Sequence, residues 1–256
     1  MRFPRYMKYA LICLLALNLT GCGFGNSALR KQHSKNARDL GEAYMGEGKY
    51  TRALREFLGA YKNNPDDAFL NNDLGLTYLA KGDAQKAVFH FKRAITLKPE
   101  YSPAKNNLGS AYIVLKQWDK AISCFAEVKD DLLYATPYYP LSNLGYVYFM
   151  QKDYKKAEKY YKEALDLQTN FPRAMDGLGQ VYTATGRYKK AIRILTRAVA
   201  KAPTATPIYM NLARAYTANH QYDKALDTYK KAAAVAAGTP LEDEAESAAE
   251  ALKRMR

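Results

Sequence analysis

The strongest constraint on the fold is a sequence pattern that returns about every 34 residues. A leucine followed by a small residue marks each copy, as Leu40-Gly41, Leu74-Gly75, Leu108-Gly109, Leu144-Gly145, Leu178-Gly179 and Leu212-Ala213. The intervals between the small residues are 34, 34, 36, 34 and 34. Such a period indicates units that cannot bury an apolar face alone and that stack to form a shared core.

Three more positions recur in every copy, counted from the small residue. A tyrosine follows after three residues, at Tyr44, Tyr78, Tyr112, Tyr148, Tyr182 and Tyr216. An alanine follows after twelve, at Ala53, Ala87, Ala121, Ala157, Ala191 and Ala225. A bulky residue follows after sixteen, at Phe57, Phe91, Phe125, Tyr161, Leu195 and Tyr229. The small residues allow two helices to approach closely, and the bulky ones fill the space between them.

This pattern resembles the tetratricopeptide repeat, in which each copy is a pair of antiparallel helices. The resemblance implies an all-α fold, a right-handed α-solenoid of six tetratricopeptide helix pairs, with the first helix of each pair lining a groove. The six repeats are expected at 34–67, 68–101, 102–137, 138–171, 172–205 and 206–239.

A capping helix is expected over residues 240–256. Thr239, Pro240 and Glu242 have the spacing of an N-cap, a proline at the first helical position and a capping-box glutamate. The stripe expected to face the last repeat consists of Leu241, Ala245, Ala248 and Leu252. A capping helix shields the open end of a stack from water.

The N-terminus has the composition of an export signal. Arg2, Arg5 and Lys8 precede an apolar run over 10–17 that is too short to span a bilayer. Residues 19–22 read Leu-Thr-Gly-Cys and resemble the lipobox of bacterial lipoproteins. This resemblance implies cleavage of a signal peptide, 1–21, and acylation of Cys22, the lipidation site. Gly23 in place of an aspartate favours the outer membrane, on its periplasmic face.

The expected cleavage before Cys22 defines the N-terminal tether and the net charge of the mature chain. Residues 22–33 would be the lipidated cysteine and a flexible tether. The whole chain carries a formal charge of +14, and the leader has three basic and no acidic residues, so the mature chain carries 14 − 3 = +11. Export away from the cytoplasm argues against a nucleic-acid partner.

Candidate chemistry is sparse. His33, His90 and His220 lack the paired spacing of a zinc site. Cys13 would be removed with the leader and Cys22 would carry lipid, so Cys124 would have no internal disulfide partner. We therefore expect no enzyme activity, catalytic residue, metal, cofactor or small-molecule substrate, and a protein partner instead.

The tetratricopeptide resemblance implies that the second, fifth, ninth, twelfth and thirteenth residues of each repeat face the groove, and these positions predict where that partner binds. The second, third and fourth repeats offer mostly apolar residues there, whereas Lys35, Arg38, Arg173, Asp176 and Arg214 make the two ends charged. The predicted protein-binding residues are Phe69, Asn72, Leu76, Leu79, Asn106, Ile113, Val114, Tyr139, Tyr146, Phe149 and Met150.

One irregularity bears on the role. The third repeat is two residues longer than the others and ends in Asp131-Leu132-Leu133-Tyr134, ahead of Asn143-Leu144-Gly145. Together with the lipobox and six repeats, this segment resembles the type IV pilus pilotin family. The resemblance implies a lipoprotein that supports outer-membrane localisation and oligomerisation of the pilus secretin. The alternatives are an envelope scaffold for peptidoglycan hydrolases or a periplasmic protease, and an envelope enzyme.

Overall fold

The computed structural model describes residues 28–131 and 133–254. The leader, Cys22, Leu132 and the last two residues lie outside the described residues. Helices account for most of the described chain, and no strand occurs within these two ranges, which confirms the all-α fold class. The chain divides into two compact units, one ending at Leu115 and the other beginning at Lys116.

The first unit contains five helices. They are α1 over 28–46, α2 (Tyr50–Asn63), α3 (Ala68–Ala80), α4 (Ala84–Leu97) and α5 (Ser102–Val114). Successive helices from α2 to α5 contact one another, and α3 also contacts α5. The first helices of neighbouring repeats therefore lie side by side.

The second unit contains eight helices. They are α6 (Trp118–Lys129), α7 (Tyr138–Met150), α8 (Tyr154–Leu167), α9 (Pro172–Ala184), α10 (Tyr188–Lys201), α11 (Thr206–Ala218), α12 (Tyr222–Val235) and α13 (Pro240–Arg254). Each contacts the next, and the first helices α7, α9 and α11 are also in contact in sequence order. The helix pattern expected of tetratricopeptide pairs with a C-terminal cap is confirmed.

The recurring alanine and bulky positions form the core. All six alanines are fully buried, and the six bulky residues are at most 6% exposed. Steric contact explains the glycines, since a Cβ atom on Gly75 would lie 2.5 Å from the ring of Phe91, and one on Gly179 would lie 2.4 Å from Leu195. The recurring leucine is buried in five repeats, but Leu40 is 45% exposed. Leu40 belongs to the first repeat, and no earlier repeat covers it among the residues that the structure describes.

A left-handed residue ends the first helix of each pair. Glycine takes this conformation at Gly48, Gly82 and Gly186, where φ is positive and the absence of Cβ avoids strain. Lys116, Lys152 and His220 occupy the same place in the other three repeats, with φ between 56° and 62°. Tertiary packing thus imposes one turn geometry even where the sequence offers no glycine.

Both chain ends depart from the sequence expectation. Residues 28–33 are part of α1, so this stretch of the expected tether is helical. It contains no glycine or proline, and the buried Ser34 hydroxyl holds the helix by donating to the Ala60 carbonyl. In α13, Leu241 is 37% exposed, and Ala249 lies in the core beside Ala245 and Leu252.

The start of α13 also differs from a capping box. The Glu242 carboxylate accepts from the backbone N–H of Gly238, one residue before the expected position. The Thr239 hydroxyl instead donates to the carbonyl of Ala236, 2.7 Å away. The tight turn at Gly238 brings its N–H toward the first turn of α13, and φ is 78° there. The Glu242 carboxylate therefore accepts a hydrogen bond from the turn residue Gly238 and not from the N–H of Thr239.

Candidate protein-binding face

The first helices of the pairs form one face in each unit, which we call the first-helix face. Polar side chains at the fifth position of one repeat bond to the sixth position of the next, and we call this the polar ladder. Its hydrogen-bonded rungs include Arg38 to Asp73, Asn107 to Asn72 and Asn211 to Asp176, each with the donor first and each 2.8–2.9 Å long. The ladder satisfies polar groups that stacking removes from water.

In the first unit, two cations lie beside an exposed aromatic residue of this face. The ring of Phe69 is 39% exposed, and the Lys98 ammonium and the Arg38 guanidinium lie 4.8 and 5.4 Å from its centroid. Burial raises the pKa of Asp73 to about 6, and the hydrogen bond from Arg38 opposes that rise. The exposed ring of Phe69 therefore lies where the apolar second repeat meets the charged first repeat. Arg38 is itself paired with Glu42 at 2.6 Å and Asp73 at 2.8 Å.

In the second unit, one rung of the ladder is missing. Ser142 is the fifth residue of its repeat, but the sixth residue of the next is Gly177, which has no side chain to bond. The Ser142 hydroxyl is buried and has no hydrogen-bond partner among the residues that the structure describes. Tyr161 occupies the vacated space, since a Cβ atom on Gly177 would lie 2.1 Å from its Cζ. Burial raises the pKa of the Tyr161 phenol, so it stays protonated at neutral pH.

Next to this break, α7 presents a row of exposed apolar side chains. Tyr139, Tyr146 and Met150 lie seven and four residues apart, on one side of the helix, and are 37%, 41% and 46% exposed. No residue of α7 is charged. The Tyr139 ring packs edge-on against Phe171 at 5.1 Å, which fixes its orientation. A rigid, uncharged row with aromatic members has the character of a protein-interaction surface.

A buried carboxylate borders this row. Asp176 accepts hydrogen bonds from the Gln180 and Asn211 amides, both at 2.8 Å. Burial raises the pKa of Asp176 to about 6, while these two hydrogen bonds and the charge of Arg214 act against the rise. Arg214 also pairs with Glu244 on α13 at 3.2 Å. The face thus passes from an uncharged row on α7 to a charged region on α9, α11 and α13.

The eleven predicted binding residues fall into three groups by exposure. The exposed ones are Phe69, Val114, Tyr139, Tyr146 and Met150. The half-buried ones are Leu76, Leu79, Ile113 and Phe149. Asn72 and Asn106 are buried. Phe149 packs against the core of the second unit, and Asn72 is a ladder member, so neither side chain is free for a partner.

Sequence reasoning missed the ladder itself. Its partners at the sixth position, such as Asp73, Asn107 and Asn211, are not among the inward positions of the repeat, and their pairing depends on two neighbouring repeats. The available signal was the polar content of two adjacent repeat positions, which recurs from repeat to repeat. Gly177 is noticeable in the sequence only because the sixth position is polar in the neighbouring repeats.

Other kinds of site find no support in the described part of the chain. Within residues 28–131 and 133–254, no three His, Cys, Asp or Glu side chains cluster as metal ligands would. His90 is buried, stacks on Tyr78 at 5.4 Å and bonds Asn71, and burial lowers its pKa. Cys124 is half-buried on α6. None of the described helices combines the length and apolar character needed to cross a membrane.

Family comparisons agree with the repeat assignment. Models described as tetratricopeptide repeat match residues 38–102, 101–170, 135–204 and 182–254, which together span more than half of the chain. The chain belongs to the tetratricopeptide-repeat family. Tetratricopeptide proteins are typically scaffolds for protein interactions, which agrees with the expectation of a protein partner. Comparison with curated protein sequences gives no match.

Solved structures show the same fold. PilW, described as a widely conserved type IV pilus biogenesis factor, is 21% identical with a TM-score of 0.73, and 82% of this chain and 97% of PilW are covered. PilF of Pseudomonas aeruginosa is 18% identical with a TM-score of 0.69, covering 85% and 98%. A chain of the Cut9–Hcn1 hetero-tetramer of the APC/C is 18% identical with a TM-score of 0.74, covering 91% and 45%. At these identities the likeness establishes the tetratricopeptide fold alone.

Proposed function

We propose that this tetratricopeptide protein is an outer-membrane lipoprotein of the pilotin type, without enzyme activity, which binds the type IV pilus secretin and supports its localisation and assembly. The observation that carries the binding role is the uncharged, exposed row on α7, formed by Tyr139, Tyr146 and Met150. The partner segment would be apolar, because a charged segment would lose hydration on this surface without finding a counter-charge.

The pilus assignment draws on two further lines of support. The fold likeness to PilW and PilF extends over nearly the full length of both proteins. The leader and the sequence before Cys22 have the pattern of an exported, lipidated protein, which would bring the face to the membrane where a secretin assembles.

The partner site is tested by charging the α7 row. Tyr146→Glu combined with Met150→Glu should abolish partner binding while leaving the fold intact, because both side chains are exposed and aromatic anchors dominate interface energy. The matched control is Leu167→Glu with Val235→Glu, which adds the same charge to exposed apolar sites on α8 and α12 of the same unit. Phe149 is unsuitable for this test because it packs against the core.

In a cell that makes type IV pili, the α7 variant should remain helical and abundant while secretin rings are lost or mislocalised. The control should assemble normal rings. Normal rings with the α7 variant would place the secretin site elsewhere. Normal rings after deletion of the whole protein would reject the pilotin role, and co-purification should then be sought with peptidoglycan hydrolases or a periplasmic protease.

A further inference from the structure

Helix α10 carries the most one-sided charge among the described helices. It has five basic residues and no acidic one, and the basic side chains Lys189, Lys190, Arg193, Arg197 and Lys201 are all exposed. At about 100° per residue they project within an arc of about 120°, and they span about 18 Å along the axis. The opposite side of the helix holds the buried residues Ala191, Leu195 and Ala198. The cations therefore form one row that points away from the core.

This basic row is not neutralised within the described chain. None of its five cations has an acidic partner within ion-pair distance among the described residues. Its nearest aromatic contact places the Lys190 ammonium 6.0 Å from the Tyr182 ring centroid. Arg187, just before the helix, is different because it pairs with Glu158 at 2.7 Å.

Helix α8 is an internal comparison. It is also the second helix of its pair and is rich in lysine, but it carries three acidic residues. Lys159 pairs with Glu163 and Lys162 with Glu158, while Lys156 pairs with Asp153 in the turn before the helix. The lysines on the second helix of a pair can therefore form ion pairs in this fold. The absence of acidic residues on α10 is a property of that helix.

We propose that the basic row of α10 binds the anionic surface of a phospholipid membrane. A straight row of separate cations matches a plane of phosphate groups, and each cation near such a surface strengthens binding by electrostatic attraction. The exposed residues between the cations are Thr196 and Ala200, so the row offers no ring for stacking nucleic-acid bases and no large apolar anchor for a protein partner.

Binding by this row would orient the second unit. Because the cations point away from the core, a membrane bound to α10 would lie on the outer side of the second helices. The exposed row on α7 belongs to the first-helix face and would stay available to a partner. The membrane interaction does not depend on the identity of that partner or on the lipid at Cys22, although an anchor there would hold α10 near a bilayer.

The test is lysine footprinting on the full chain, in which amine labelling at each lysine is measured by mass spectrometry. Vesicles that mix phosphatidylglycerol with phosphatidylcholine should slow labelling of Lys189, Lys190 and Lys201, and pure phosphatidylcholine vesicles should not. Lys155 and Lys159 on α8 serve as internal references. High salt should remove the protection because it screens exposed charges.

Variants locate the effect. Arg193→Gln with Arg197→Gln should raise the vesicle concentration for half-maximal protection by about 25-fold, at roughly fivefold per charge. Lys155→Gln with Lys159→Gln removes the same charge from α8. This variant should change the vesicle concentration for half-maximal protection by less than about twofold. Protection that is equal at the α8 and α10 lysines, or unchanged in the Arg193/Arg197 variant, would overturn the proposal. Protection by a DNA oligonucleotide, polyglutamate or inorganic phosphate, but not by anionic vesicles, would overturn it in favour of another anion.

Discussion

Tyr161 and Gly177 are matched across the junction between the fourth and fifth repeats. The tyrosine ring occupies the space of the missing side chain, so a Cβ atom added to Gly177 would lie 2.1 Å from Cζ and 2.5 Å from the hydroxyl oxygen. The same tyrosine ring also lies 2.8 Å from where a Cβ of Gly145 would be. One large side chain is thus held between two glycines, and its hydroxyl reaches the junction where the polar ladder is broken.

Gly177→Ala should therefore destabilise the protein. Overpacking of this kind costs about 1–3 kcal/mol of the free energy of unfolding, measured by chemical denaturation. Combining it with Tyr161→Leu should recover part of the loss, because leucine fills the equivalent place at Leu195 and frees the space. Gly59→Ala is the control, since no atom lies within 4 Å of its added methyl group and the helix should gain up to about 1 kcal/mol. Additive effects of the Gly177 and Tyr161 changes would refute the coupling.

Ser142→Ala should leave the free energy of unfolding unchanged or raise it by up to about 1 kcal/mol. The hydroxyl has no hydrogen-bond partner in the described chain, so its removal relieves an unsatisfied buried group. Ser34→Ala is the matched comparison, because that hydroxyl is buried and donates to the Ala60 carbonyl, and its loss should cost about 1 kcal/mol. Equal destabilisation by both changes would mean that Ser142 has a bonding partner.

Asp176 should make stability depend on pH in the direction opposite to that of an exposed ion pair. Burial raises the pKa of Asp176 from 3.8 to about 6, so the folded chain holds a proton that the unfolded chain has released between these values. Stability from this group is therefore greatest at low pH and falls as pH rises toward 6, by up to about 3 kcal/mol. Asp176→Asn should match the unaltered protein near pH 4 and exceed its stability near pH 7.

The pH experiment has an internal control of opposite sign. Asp83 caps α4, and hydrogen bonds from Lys86 lower the pKa of its carboxyl. The stabilisation from Asp83 is present above its unfolded pKa and is lost as pH falls through the lowered value. Asp83→Asn should therefore lose stability at neutral pH relative to acid pH. If Asp176→Asn behaves in the same way as Asp83→Asn, the buried carboxylate is stabilising in its charged form.

Lys152→Gly should stabilise the turn between α7 and α8. Lys152 adopts φ of 62°, and a residue with a Cβ is strained there whereas glycine is not. The expected gain is up to about 1 kcal/mol after allowing for the greater freedom of glycine in the unfolded chain. Lys159→Gly, in the interior of α8, should instead cost about 1 kcal/mol. A lower melting temperature for Lys152→Gly would show that the lysine side chain contributes more than its strain.

Cys22→Ser should prevent lipid attachment if the leader is that of a lipoprotein. Cells grown with labelled fatty acid should incorporate label into the unaltered protein and not into the variant. The variant should also leave the membrane fraction, since several acyl chains on one residue give stable anchoring. Cys124→Ser is the control and should retain the label. Continued labelling of the Cys22 variant would remove the lipid anchor from the proposed function.

The sequence determined the helix pairs and their core. The positions of Ala87, Phe91 and their counterparts repeat at a fixed distance from a glycine, so their burial follows from helical periodicity and stacking alone. The family can be identified from the sequence because the same residue pattern occurs in each of the six repeats. Exposure along α7 was only partly predictable, since Phe149 and Met150 are neighbours and only contact with the core separates a packed side chain from an exposed one.

The tertiary structure decided what the sequence left open at the junctions between repeats. A rung of the polar ladder joins residues 35 positions apart, such as Asp176 and Asn211, and it exists only if stacking brings both side chains within bonding distance. At Ser142 the corresponding partner is Gly177, and the tyrosine of another helix fills the gap. Local periodicity fixes which face of a helix is buried, whereas hydrogen bonding and steric fit between repeats depend on pairs of residues that only the assembled structure brings together.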